Sequence, residues 1–72
     1  MPKLYSARII IKTLQKAGFG KISQKGSHIK LRGLRGGKLC TVIVPNHKEI
    51  AKGTFSSILK QAEMTRIEFE GV

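Results

Sequence analysis

The first hydrophobic pattern in the chain has the period of an α-helix. Its inward positions recur every third or fourth residue: Ile10, Leu14 and Ala17, flanked by Ile9 and Thr13. Ser6 is a good N-cap, and Gly18 is a good left-handed stop. The pattern predicts a first helix over residues 6–17, with Lys12 and Lys16 on its outward side.

After this helix the period shortens to two, which is typical of β-strands. Residues 19–25 form a first short run, and Lys25 and Gly26 supply a tight turn. In the second run Ile29 and Leu31 share one face, while the alternate positions carry His28, Lys30 and Arg32. The two runs predict a β-hairpin whose second strand is buried on one side.

A glycine-rich basic segment, GLRGGK at residues 33–38, separates the hairpin from a further strand. Its three glycines predict a flexible loop, and Arg35 and Lys38 on that loop are candidate contacts to a phosphate backbone. The sequence LCTVIVP at residues 39–45 is rich in β-branched residues and stops at Pro45. It predicts the third strand, with Cys40 as a small core residue.

The last third of the chain returns to the helical period. Thr54 is the predicted cap of a second helix over residues 54–63, whose inward positions are Phe55, Ile58, Leu59 and Ala62. In the tail that follows, Ile67 and Phe69 are expected to hold the chain against the core.

The predicted element order is α-β-β-β-α, and the fold class is α+β. Two helices are expected to cover one face of a three-stranded antiparallel sheet, leaving the other face in solvent. Parity then places His28, Lys30 and Arg32 together on the solvent face of the middle strand. Lys21 or Lys25 of the neighbouring strand is expected within lateral reach of them.

Composition sets the class of partner. The 72 residues make a single domain over residues 1–72, and 14 Lys and Arg against 4 Asp and Glu give a net charge of +10. Such a field favours a polyanion, with nucleic acid as the first candidate, because each neutralised phosphate releases counterions. An ordinary basic surface on a soluble protein is the alternative that composition alone leaves open.

Other classes of function find little support. The single cysteine, Cys40, cannot form an intramolecular disulfide, and no Cys/His spacing indicates a zinc site, so neither a metal nor a cofactor is predicted. No apolar run approaches the ~20 residues that span a bilayer. The sequence therefore predicts a cytoplasmic protein without a membrane partner.

His28 is the candidate for chemistry. RNA carries its own nucleophile, the 2′-hydroxyl, so a metal-free ribonuclease needs a group that moves protons and cations that stabilise phosphoryl charge. Histidine suits the first task, and Lys30, Arg32 or Lys25 the second. A solvated histidine without a role in catalysis is the competing interpretation.

Five further residues have two interpretations each. His47, just after Pro45, is either a second proton-transfer group or a turn residue. Lys52 and Thr54 lie at a predicted helix N-terminus, where backbone amides favour a phosphate, although capping by Thr54 explains the same residues. Gly26 suits a turn with positive φ or a close approach of RNA, and Ser27 either orients His28 or shapes the hairpin.

Three segments together resemble a known family: SARIIIKTLQKAGF at residues 6–19, KGSHIKLRG at 25–33 and VPNHKEIAKGTFSSILKQAEM at 44–64. The most specific parts are Gly26-Ser27-His28, the Pro45-x-His47 pair and Lys52-Gly53-Thr54 with Ile58 and Leu59 behind it. In this order and spacing the chain resembles the HicA-type (YcfA-like) messenger-RNA interferase toxins over essentially its whole length.

The resemblance implies a fold like the double-stranded RNA-binding domain and a type II toxin that cleaves messenger RNA. It also implies a HicB-type antitoxin as partner and His28, in the Gly-Ser-His motif, as the catalytic residue. The expected RNA contacts are Lys25, Gly26, Ser27, Lys30, Arg32, Arg35, Lys38, His47, Lys52 and Thr54. The alternative function is a non-catalytic RNA-binding module of the same fold, which would bind RNA in a salt-sensitive way without cutting it.

Overall fold

A computed structural model describes residues 4–72. Its elements in chain order are α1 (Ala7–Lys16), β1 (Gly20–Lys25), β2 (His28–Arg35), β3 (Lys38–Pro45), α2 (Lys52–Gln61) and α3 (Arg66–Glu70). The strands form one antiparallel sheet in the order β1-β2-β3. The predicted α-β-β-β-α order is therefore confirmed, and a short third helix follows it.

The core lies between the sheet and the helices. On β2 and β3 the buried positions are cross-strand partners: Ile29 with Val44, Leu31 with Val42, and Gly33 with Cys40. Helix α1 contributes Ala7, Ile10 and Leu14, and α2 contributes Phe55, Ile58 and Leu59. Each large aliphatic side chain buried here contributes about 1.5–3 kcal/mol. Cys40 belongs to this core, as its place in the third strand predicts.

The start of α1 is set by its own sequence and by a neighbouring segment. The Ser6 hydroxyl accepts a hydrogen bond from the Ile9 amide at 3.2 Å, which confirms the predicted cap. The Ala7 amide donates to the His47 carbonyl at 2.9 Å, and the Ile50 amide donates to the Tyr5 carbonyl at 2.8 Å. These bonds tie residues 46–50 to the beginning of the first helix.

The predicted loop at residues 33–38 is wrong. Residues 33–35 continue β2, and Arg35 pairs with Lys38 at the start of β3, so only Gly36 and Gly37 form the turn. Both have positive φ, 58° and 81°, as a two-residue hairpin turn of type I′ requires.

The first glycine of that segment, Gly33, is required for a reason other than the turn. Gly33 is buried on the inner face of β2, where the chain between α1 and β1 crosses it. A Cβ there would lie 2.9 Å from both the Gly18 carbonyl oxygen and Phe19 Cγ. Gly33 therefore allows close packing of two backbone segments. The composition of the segment does not distinguish this role of a glycine from a role in a flexible loop.

The predicted cap of the second helix is also wrong. Helix α2 begins at Lys52, its N-cap is Ala51, and no side chain caps it, so Thr54 lies within the first turn. The Phe55 amide already donates to the Ala51 carbonyl at 2.9 Å. Ile50 is buried and its backbone is bound to Tyr5, so tertiary contacts start the helix before the best capping residue is reached.

The tail prediction is correct for Phe69 and wrong for Ile67. Phe69 is 2% exposed, and its ring lies 5.2 Å from that of Tyr5 and 5.1 Å from that of Phe55, centroid to centroid. Ile67 is 82% exposed. The tail forms α3, in which residues two apart point to nearly opposite sides, so only one of them reaches the core.

Candidate functional site

His28 is the first residue of the middle strand, and its side chain is exposed. Its cross-strand partners are Lys25 on β1 and Pro45 on β3. Partners in an antiparallel sheet share a face, so the imidazole lies on the open face with the Lys25 side chain beside it. The backbone next to it is fixed, because the Asn46 amide donates to the Ser27 carbonyl at 2.6 Å.

The turn before His28 is built from Gly26 and Ser27. Gly26 has φ 59°, which confirms that a turn with positive φ requires a glycine at this position. The Gln24 side-chain amide donates to the Gly26 carbonyl at 3.3 Å. This short turn therefore presents His28 at the rim of the sheet.

Lys30 and Arg32 lie on the same open face as His28. Side chains at alternate positions of one strand are about 7 Å apart, so His28, Lys30 and Arg32 form a row along β2. The Arg32 Nε donates to the Thr41 hydroxyl at 3.3 Å, which orients the guanidinium across β3. The predicted grouping of these three residues on the middle strand is confirmed.

The prediction named Lys21 or Lys25 beside this group, and it is Lys25 that lies there. Lys21 pairs with Leu31, on the helix side of the sheet, although Ser23 and Lys25 lie on the open face. A β-bulge between Lys21 and Ser23 inserts one residue and reverses the alternation. Strict parity misplaces Lys21 for this reason.

Arg35 and Lys38 lie at the far end of the hairpin from His28. Arg35 forms an ion pair with Glu68 at 2.7 Å, and Lys38 forms one with Glu63 at 2.6 Å. The hydrogen bond from Lys38 holds the pKa of Glu63 below its usual value, and the same bond raises the pKa of Lys38. The Thr65 backbone amide and then the Arg35 guanidinium lower the pKa of Glu68.

Charge is consequently divided between the two ends of the molecule. The β1–β2 turn, the end of β3 and the start of α1 meet at one end of the molecule. We call it the His28 end. Three of the four acidic residues, Glu63, Glu68 and Glu70, lie in or next to α3 and form ion pairs there with Lys38, Arg35 and Arg66. Among residues 4–72, no ion pair neutralises Arg8, Lys25 or Lys48 near His28.

His47 follows β3 in the exposed segment that joins it to α2. Its amide donates to the Pro45 carbonyl and its own carbonyl accepts from Ala7, both at 2.9 Å, so its backbone acts as a turn residue. His47 lines a hollow together with Ser6, Arg8, Asn46 and Lys48, and His28 is not part of that lining. Lys52 and Thr54 lie in the first turn of α2.

The sequence-based site omits several residues on the helix side of the sheet. Arg8, Gln15, Gln24 and Asn46 line a groove between α1 and β1 together with Lys12 and Lys21. The spacing of Arg8, Lys12 and Gln15 on α1 was visible in the sequence as one helical face. The sequence did not show that β1 contributes to this groove, because that contribution depends on the bulge.

No group of three or more His, Cys, Asp or Glu side chains in the described part of the chain is arranged to hold a metal ion. Residues 4–72 also contain no helix that is long and apolar enough to cross a membrane.

Fold and surface together define a small basic α-β-β-β-α protein, consistent with the double-stranded-RNA-binding-domain-like class, with an exposed histidine among cations on the open sheet face. The model of a family described as the HicA toxin of bacterial toxin-antitoxin systems matches residues 7–64. The chain therefore belongs to the HicA toxin family. A search of curated proteins finds no significant match. Membership of a toxin-antitoxin family implies an antitoxin partner.

Proposed function

We propose that this protein is a type II toxin that cleaves messenger RNA by acid/base catalysis at His28, without a metal ion. The observation that supports this most is the position of the imidazole, exposed at the start of the middle strand with Lys25 opposite it and Lys30 and Arg32 along the same face. A sugar-phosphate chain lying along β2 would have both a proton-transfer group and cations within reach.

The proposed reaction uses the RNA's own 2′-hydroxyl. The 2′-oxygen attacks the adjacent phosphorus and the bond to the 5′-oxygen breaks, which yields a 2′,3′-cyclic phosphate and a 5′-hydroxyl. The proton that the 2′-oxygen loses is balanced by the proton that the 5′-oxygen gains. His28 moves one or both of these protons, and the cations stabilise the charge on the phosphoryl oxygens.

The remaining proposed RNA contacts surround this centre. The Gly26-Ser27 turn allows a close approach of the backbone beside His28, and Lys25 contributes a charge there. At the start of α2 the lack of a side-chain cap supports a phosphate contact at Lys52 and Thr54, since no side chain occupies the terminal amides. His47 remains a candidate contact on the intervening segment.

Arg35 and Lys38 have less support as RNA contacts than the residues near His28. Each is paired with a carboxylate, and a phosphate would have to displace or share that partner. We therefore place the principal RNA path at the His28 end and keep the hairpin tip as a secondary contact.

For the antitoxin we propose a HicB-type protein that covers the open face of the sheet. An acidic surface would complement the unpaired cations around His28 and block access of RNA. The proposed compartment of both proteins is the cytoplasm, where messenger RNA is translated.

The test is cleavage of a defined RNA by the purified protein in the presence of a chelator, followed by analysis of the product ends. We expect a cyclic phosphate product from the wild-type protein and a loss of about 10²-fold or more in His28→Ala, as for removal of a general acid or base. His47→Ala, at the candidate contact on the intervening segment, should weaken RNA binding but leave cleavage at saturating RNA in place. Thermal unfolding should show both variants folded, because both side chains are exposed.

Two outcomes would overturn the proposal. Strict dependence on a divalent ion would refute the metal-free reaction, and full cleavage and growth arrest by His28→Ala would refute the catalytic assignment. Salt-sensitive RNA binding without any cleavage would instead identify a non-catalytic RNA-binding module.

A further inference from the structure

A groove of about 470 Å³ runs between α1 and β1, on the opposite side of the sheet from the His28 imidazole. Helix α1 supplies one wall and the outer strand β1 supplies the other, and the residues that line it are Arg8, Ile11, Lys12, Gln15, Lys21, Gln24, Ile29 and Asn46. The bulge in β1 creates this wall, because it turns Lys21 towards α1.

The groove has the chemistry of a polyanion site. Its charged side chains are three cations, Arg8, Lys12 and Lys21, none of which forms an ion pair with another described residue. The Lys21 ammonium donates to the Gln24 side-chain oxygen at 3.1 Å, so β1 presents a fixed polar pair.

The uncharged lining adds features that a bare phosphate site would not need. The carboxamides of Gln15, Gln24 and Asn46 can both donate and accept hydrogen bonds, as base edges and ribose hydroxyls require. Ile11, which is half-buried, offers an apolar surface against which a sugar or base can lie, and the buried Ile29 lies beneath it.

The groove is continuous with the turn that carries His28. The Gln24 side chain donates to the Gly26 carbonyl, and Asn46, whose backbone amide donates to the Ser27 carbonyl, lines the groove beside the same turn. Arg8 and Asn46 also line the hollow that contains His47, so that hollow extends the groove around the start of α1. A strand leaving the His28 face around the β1–β2 turn would enter the groove directly.

We infer that this groove binds the single-stranded RNA that flanks the cleaved phosphate, and so extends the RNA footprint beyond the sheet face. The path towards His28 rests on the proposed function, whereas the binding itself does not. A single strand fits best, because the channel lies between one helix and one edge strand, and unpaired bases leave their edges free for the carboxamides.

The experiment measures RNA affinity in the His28→Ala background, so that no cleavage intervenes. Fluorescently labelled single-stranded RNAs of about 4 and about 16 nucleotides are titrated at several salt concentrations. The test variant adds Arg8→Gln and Lys12→Gln. The control variant adds Lys16→Gln and Lys60→Gln, which remove the same charge from helix positions outside the groove lining.

For the long RNA we expect the groove variant to reduce the slope of log affinity against log salt by about 1.4, since each neutralised phosphate of a single strand contributes about 0.7. A fourfold rise in salt concentration then lowers the RNA affinity of the control variant about sevenfold more than that of the groove variant. The short RNA, which the His28 face alone can hold, should bind both variants equally.

For the long RNA, equal slopes of log affinity against log salt in the groove variant and the control overturn the inference. An acidic protein surface would then be the expected partner of the groove. Equal losses for short and long RNA in the groove variant also overturn it, because they indicate a general field effect. Cleavage by the protein with His28 intact is assayed separately, so failure of the nuclease proposal and failure of the groove proposal give different results.

Discussion

Gly33 illustrates how one residue can have a role that its neighbours in the sequence disguise. It lies in a run with two other glycines, but those two form a turn and Gly33 does not. Its lack of a side chain lets the segment at Gly18 and Phe19 pass directly over β2. The same residue type thus serves chain reversal at one point and close packing three residues earlier.

Replacement of Gly33 by alanine should destabilise the protein by about 1–3 kcal/mol, because an overpacked core must shift to accept the new methyl group. Gly53→Ala should have the opposite sign, a gain of up to about 1 kcal/mol, since it lies in α2 with no atom within 4 Å of the added Cβ. Urea denaturation of the two variants checks both signs. Equal stability of wild type and Gly33→Ala would show that the crossing segment can move aside freely.

At the scale of the element, the two longer helices begin for different reasons. Ser6 caps α1 with its own side chain, so the helix starts where the local sequence favours it. Helix α2 starts at Lys52 although the side chain of its N-cap, Ala51, cannot cap it, because buried Ile50 and its bond to Tyr5 fix the chain direction just before the helix. The third helix follows the local rule again, with a capping box formed by Thr65 and Glu68.

The missing cap of α2 leads to a paired prediction. Ala51 has φ −60° and ψ 150°, the extended conformation of an N-cap, so Ala51→Ser should stabilise the protein by about 1 kcal/mol. Thr54→Ala should cost little, because Thr54 does not cap the helix. Thermal unfolding of each variant measures the change, and a loss of 1 kcal/mol or more in Thr54→Ala would restore Thr54 as the cap.

Over the whole molecule, the acidic residues are concentrated away from the candidate site. The pairs of Arg35 with Glu68 and Lys38 with Glu63 join the β2–β3 hairpin to the C-terminal part of the chain. They hold that end together while the cations at the His28 end stay without carboxylate partners among residues 4–72. Structural ion pairs and the proposed RNA surface are thereby separated.

This arrangement predicts the pH dependence of stability. Because folding lowers the pKa of Glu63 and Glu68, their contribution is present above their ordinary pKa of 4.5 and is lost as the pH falls through the lower folded values. Folding raises the pKa of Lys38, so its contribution is present below its ordinary value of 10.5 and is lost as the pH rises through the folded value.

The measurement is the melting temperature as a function of pH. Glu63→Gln combined with Glu68→Gln should flatten the acid side of the curve, and the variant and wild type should converge at the lowest pH. Glu49→Gln is the matched control, an exposed carboxylate for which the described residues provide no ion pair. An acid side of unchanged slope in the double variant would contradict the assignment.

What the sequence by itself determined is the set of features encoded within a few residues. The helical stripe after Ser6, the alternation at residues 28–32 and the β-branched run before Pro45 are enough for the α-β-β-β-α order and for placing His28 on an open face. Hydrophobic period and capping are local properties, so these predictions did not depend on contacts between distant segments.

Only the tertiary structure decided the features that depend on such contacts. These features are the bulge that turns Lys21 towards α1, the packing that requires Gly33, the start of α2 at Lys52 and the ion pairs of Arg35 and Lys38. A single inserted residue reverses the side-chain alternation, and a carboxylate 33 residues away pairs with Arg35 and neutralises its charge. For that reason the groove and the division of charge, unlike the histidine, were absent from the sequence-based site.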